Sequence, residues 1–213
     1  MTTDLLTPYR WLLQSDGPLG DIYCVSFFRG LRPVEVLHRF GGPGEPSTRE
    51  MTFEELEEEV LEFVHGSDGG LGGGYVGVVE AGAWSVAVEL WGWYASLVET
   101  APRLSQGCEM VAVSRHDYAE DGFTYAVGGA VVSAFTPNRS YDRFGNDPRR
   151  LDDLMRRAGL ALAEPDDDAD WDDAVEHGLA RTFVLAAEIT GVPMSPALLN
   201  RPLLVGPVAD AHT

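Results

Sequence analysis

Six polar side chains crowd one short stretch of the chain: Arg115, His116, Asp117, Tyr118, Glu120 and Asp121 stand between two apolar runs. A histidine and three carboxylates within that reach supply the donor set for a hard cation or for general acid–base work. Neighbours in an extended chain point in opposite directions, however, and a loop joining two strands collects polar residues of this kind without chemical purpose. A second constellation is aromatic: Trp84, Trp91, Trp93 and Tyr94, with Glu89 and Glu99 nearby. Trp91 and Trp93 are two positions apart and share a face if the strand continues through them, and such pairs serve a core more often than a stacking platform. Arg115, His116, Asp117, Asp121, Trp91 and Trp93 form the candidate site for a small molecule or for a hydrolytic reaction.

Other signatures of chemistry are weak. Gly72, Gly74 and Gly77 satisfy G-x-G-x-x-G, but a helical pattern precedes them and a strand pattern follows, the reverse of the dinucleotide-binding context. The chain contains no lysine, which removes Schiff-base chemistry, the phosphate-loop and kinase lysines and the Ser-x-x-Lys acylases. G-x-S-x-G, H-E-x-x-H and C-x-x-C are absent as well. Cys24 and Cys108 each fall in an apolar run and are expected as buried thiols. No catalytic residue, metal-ligand set or cofactor is assigned on these grounds.

Charge is concentrated. Of the formal net charge of minus 19, minus 15 lies in two arginine-free windows, residues 50–62 and 164–176. Acids at the start of a helix complement its dipole, which accounts for many of them. The remaining use is a docking surface for a basic protein, with Glu54, Glu55, Glu58, Glu59, Glu62, Asp166, Asp167, Asp168 and Asp170 as the candidate partner-binding residues. Nucleic acid and anionic bilayers are not expected as partners, because both require basic side chains to replace counterions. With no signal-like start and no membrane-length apolar run, the cytoplasm is the expected location.

The elements that must position these residues follow from periodicity. Short helices are predicted at 8–14 and 33–40, and a longer one behind the Thr52–Glu55 capping box, with Leu56, Val60 and Val64 on its inner face. Ile22–Phe28 is too continuously apolar for a half-exposed strand and is expected at the centre of a sheet. Alternating runs at 75–80, 83–90, 108–114, 123–127 and 130–135 complete the strands, the last two joined by Gly128 and Gly129 as a hairpin turn. Helices are expected again at 148–158, from 172 or 173 to 190, and at 196–200. The class is α+β: a mainly antiparallel sheet of five to six strands, packed with helices from both ends of the chain. One domain is expected over 1–213, with a loosely held tail from about 202. Val25, Phe27, Val76, Val78, Trp84, Val86, Val88, Val111, Val113, Tyr125 and Val132 are the expected sheet lining against the Leu56–Val64 helix.

The ordered series YCVSFFRGLRPVEVLHRFG, GVVEAGAWSVAVELWGW, LSQGCEMVAVSRHDYAEDGFTYAVGGAVVSAFTP and LAAEITGVPMSPALL resembles an uncharacterised actinobacterial, Streptomyces-type domain family of unknown function, over most of residues 9–200. The resemblance implies a preserved fold and transfers no activity. The leading expectation is therefore a non-catalytic interaction protein of the immunity, antitoxin or adaptor type that holds a basic partner on its acidic helices. The alternative is a small-molecule binder or hydrolase using the His116–Asp121 loop and the aromatics.

Overall fold

The computed structural model describes residues 5–14, 17–41, 44, 47–67, 72–116 and 121–209. Eight strands pair in one sheet: β1 Ile22–Arg29, β2 Arg49–Met51, β3 Tyr75–Ala81, β4 Trp84–Leu90, β5 Glu109–His116, β6 Gly122–Val127, β7 Ala130–Phe135 and β8 Leu203–Pro207. Their order is β2-β8-β3-β4-β1-β5-β6-β7, and every pairing is antiparallel. The helices are α1 Pro33–Phe40, α2 Phe53–Gly66, α3 Ala101–Leu104, α4 Asp152–Ala158, α5 Asp168–Thr190 and α6 Pro196–Leu199, with 3-10 turns at Thr7–Leu13, Tyr94–Ser96 and Pro137–Arg139. The mixed class and the antiparallel sheet are as expected; the strand number is larger.

β1 is inside the sheet, between β4 and β5, and its unbroken apolar run has a cause on each face. Tyr23, Val25 and Phe27 join Val86, Val88, Val111 and Val113 beneath α2, α4 and α5. Cys24 and Phe28 join Ala87, Met110 and Ala112 beneath α1 and α3. Each large side chain so enclosed contributes roughly 1.5–3 kcal/mol relative to exposure, and the layer under α2, α4 and α5 is the larger of the two. Both cysteines are free thiols buried in the second layer.

Two members of the expected lining belong to the other face. Val76 and Val78 pack with α1, while Gly77 and Val79 face α2. Strand β3 is apolar on both sides, so its parity was not legible. It is fixed by the close approach of helix and strand at Gly77, where a Cβ would stand 2.7 Å from Leu56 and 2.9 Å from Leu203.

The two additional strands lie together at one edge. Leu203 and Val205 of β8 are buried at 0% and 1% exposure between β3 and β2, so this part of the expected loose tail is core. Pro202 before β8 and Gly206 and Pro207 within it carry the composition of a tail, and β2 is the short triplet Arg49–Met51, recognisable as a strand through its pairing with β8. Helix α4 begins at Asp152, four residues later than expected, and α5 at Asp168, because Asp167 Oδ1 accepts the Asp170 N–H at 2.9 Å and caps the helix there. The first helix is a 3-10 turn, with Leu6 and not Thr7 at its cap position. The Thr52–Glu55 capping box and the Gly128–Gly129 turn, at φ 61 and 91, are formed as expected.

Candidate functional site: the Trp93 cleft and the Glu89 cavity

Strand alternation turns Glu89 to the α1 face of β4, opposite Cys24 of β1, where it is 1% exposed. Among the described residues it is the one charged side chain so deeply buried. A carboxylate in such a place requires internal donors. The chain supplies them by folding back across the sheet end. Trp91 takes φ 51, the one positive φ of a non-glycine residue among those described, and donates its N–H to Ile22 O at 2.9 Å. The 3-10 turn that follows aims two amides at the carboxylate: Tyr94 N–H to Oε2 at 2.8 Å and Ala95 N–H to Oε1 at 3.0 Å.

Burial holds the Glu89 carboxyl up at about 7, against the pull of those amides and of the Cys24 thiol. Burial, and then the neighbouring carboxylate, push Cys24 well above the ordinary thiol range, which removes it as a nucleophile. Glu89 also lines a cavity of about 140 Å³ with Gly92, Tyr75, Trp93, Tyr94 and the glycines 72–74.

Trp93 and Leu97 line this cavity and also a larger cleft of about 490 Å³. One wall of the cleft is the segment from Trp93 to Glu99, held to the sheet by Thr124 Oγ1 donating to Ser96 O at 2.7 Å. The ends of β5 and β6 supply Ser114, His116, Asp121 and Phe123, and beyond them Phe135 and Phe144 complete an apolar surface. Val98 and Phe144, at 38% and 53% exposure, leave an apolar rim open to solvent. The His116 ring packs on Trp93 at 4.8 Å between centroids, tilted by 56°. Asp121 Oδ1 accepts the His116 main-chain N–H at 3.1 Å. Burial raises the Asp121 carboxyl from its ordinary value, opposed by that hydrogen bond and by the charges of Arg115 and His116.

Trp93, His116 and Asp121 of the sequence-derived set are thus brought together. Arg115 is not with them: as the neighbour of His116 it faces the opposite side of β5, where it pairs with Asp21 at 3.1 Å and donates to Leu12 O at 3.1 Å. Trp91 also leaves the set, because its positive φ ends the alternation that would have kept it in line with Trp93, and it stands 44% exposed. Asp117 lies outside the described residues. Glu89 was not among the expected site residues; its signal was a lone acid inside the run WSVAVEL, at a position whose neighbours are all core.

A family of unknown function (DUF6461) matches residues 3–210. The chain belongs to that family. No curated protein and no solved structure matches it. Membership brings no activity, so the chemistry rests on the geometry of this chain.

The acidic windows divide by role. Glu55 returns to the Thr52 N–H at 2.7 Å, and that bond holds its carboxyl below the usual range. Glu59 pairs with Arg49, Asp167 caps α5, and Asp173 is lowered by its bond to Arg181. Glu54, Glu58, Glu62, Asp166, Asp168 and Asp170 are exposed. On α5 they share the surface with Trp171 and Val175, one turn apart and 37% and 54% exposed. Among the described residues, no group of three or more His, Cys, Asp and Glu is arranged to hold a metal ion, and no helix is long and apolar enough to cross a membrane.

Proposed function

We propose that this DUF6461 protein is a small-molecule-binding module whose ligand occupies the cleft between Trp93 and Phe144. The observation that carries the reading is the convergence of Trp93, His116 and Asp121, from three separate segments, on one predominantly apolar hollow of about 490 Å³. An apolar cleft with a few convergent polar groups, one of them a carboxylate displaced from its ordinary titration range, is the usual form of a ligand site. A flat apolar ligand with a hydrogen-bond donor or positive group suits the lining.

A thermal-shift screen with Trp93→Ala and His116→Ala as controls tests the reading. Ligand at a hundredfold excess over Kd stabilises by about 2.7 kcal/mol, or roughly 5–10 °C for a chain of this size. Hits of that size that vanish in both variants are expected. Hits that survive both place the ligand elsewhere and overturn the assignment.

A second reading retains the acidic helices as a docking surface for a basic partner in the cytoplasm of an actinobacterium. It is favoured by Trp171 and Val175, whose exposure among Asp168, Asp172 and Glu176 gives α5 an apolar strip edged with carboxylates. Its partner would be a basic amphipathic segment, and neither nucleic acid nor a bilayer suits it.

A further inference from the structure

The Glu89 cavity has a composition that the cleft does not share. Its one charged lining group is a carboxylate, and around it stand the rings of Tyr75, Trp93 and Tyr94 with the aliphatic Leu97 and Val208. Both carboxylate oxygens are already hydrogen-bonded, each to one amide, and no arginine lines the space. Two guanidinium groups sit over rings of the lining, Arg49 at 5.9 Å from the Tyr75 centroid and Arg103 at 5.6 Å from that of Tyr94, so these rings already accept cations.

Gly92 lines the cavity beside the carboxylate. A Cβ at this position would stand 3.0 Å from Glu89 Cβ and 3.2 Å from Oε2, so any larger residue crowds the acid.

From this geometry we propose that the cavity binds a small organic ammonium group, held by the Glu89 carboxylate and enclosed by Tyr75, Trp93 and Tyr94. Each alternative class of ligand meets an obstacle. An anion would face a carboxylate with no compensating cation in the lining. A hard metal ion needs several oxygen ligands at once, and the cavity's one carboxylate already accepts an amide at each oxygen. An alkylated ammonium is weakly hydrated, carries its charge behind methyl groups, and gains from both the carboxylate and the ring faces. The site shares Trp93 and Leu97 with the Trp93–Phe144 cleft but uses neither His116 nor Asp121, so Glu89→Gln and His116→Ala separate the two readings.

The test uses tetramethylammonium chloride, whose charge does not vary with pH, at pH 8, where Glu89 is largely ionised. The groups that face Glu89, Cys24 on β1 and the Tyr94–Ser96 turn, bring no second negative charge there, since the Cys24 thiol is pushed well up. Backbone NMR of the full chain follows the Tyr94 and Ala95 amides, the two donors on the carboxylate. A saturable shift of both is expected, with affinity at least tenfold tighter than for the neutral isostere tert-butanol, lost in Glu89→Gln and weakened at least fivefold in Gly92→Ala. Shifts no larger than those from sodium chloride at the same ionic strength, equal affinity for tert-butanol, or full binding by Gly92→Ala would each overturn it. The comparison of probes on the unaltered protein decides the matter even if Glu89→Gln does not fold.

Discussion

At the scale of single residues, Glu89 is the most deeply buried charged side chain among those described. Its carboxyl titrates at about 7 in the folded chain against an ordinary 4.5, mainly through burial. Between those values the folded protein holds a proton that the unfolded chain releases. The stability it contributes is therefore fully present below pH 4.5 and is lost as pH rises through 7. At about 1.36 kcal/mol per pKa unit the loss is on the order of 3 kcal/mol. Glu35, Glu55 and Asp173 are displaced downward and act in the opposite sense, but equally in any Glu89 variant. Urea denaturation of the wild type and of Glu89→Gln at pH 5 and pH 8 separates the terms. The stability of the wild type relative to the variant falls by roughly 2–3 kcal/mol between the two pH values, part of the loss having occurred below pH 5; parallel behaviour of the two proteins would show that the buried carboxyl does not titrate in this range.

At the scale of elements, legibility followed local signals. The capping box of α2, the proline start of α1 and the glycine pair between β6 and β7 each fix a boundary through chemistry contained in a few adjacent residues. β2 and β8 have no such signal, since each exists through pairing with partners far away in sequence. If β8 is core, Leu203→Ala costs about 2–5 kcal/mol, whereas a loosely held tail would show almost none of this in a denaturation curve. The acid windows were visible as composition, but composition does not separate a capping carboxylate from an exposed one. Glu55 and Asp167 cap the starts of α2 and α5, so neutralising either removes a helix cap. The exposed carboxylates are those beside Trp171 and Val175, together with the outer face of α2.

At the scale of the molecule, one antiparallel sheet with helices on both faces brings distant segments to a common end. The return of the chain after β4, the end of β5 and the start of β6 meet there, and this meeting makes both the cavity and the cleft. Half of the alternative site was legible because His116 and Asp121 flank a strand connection and Trp93 lies near an aromatic cluster. Arg115 and Trp91 were misplaced for reasons of backbone geometry: strand parity for one and a positive φ for the other. Glu89 was obscured because an acid in an apolar run is usually a solvent-facing position, and only the doubly covered sheet makes it interior.

The central claim is that the Trp93–Phe144 cleft takes a ligand, and soaking crystals of the protein with a library of small aromatic fragments tests it most directly. Fragments are expected to gather in the cleft against Trp93 and His116, with donor groups directed to Asp121, and soaks of Trp93→Ala crystals should leave that position without them. Fragments distributed over the surface with none in the cleft, or bound there equally in the Trp93→Ala crystals, would contradict it.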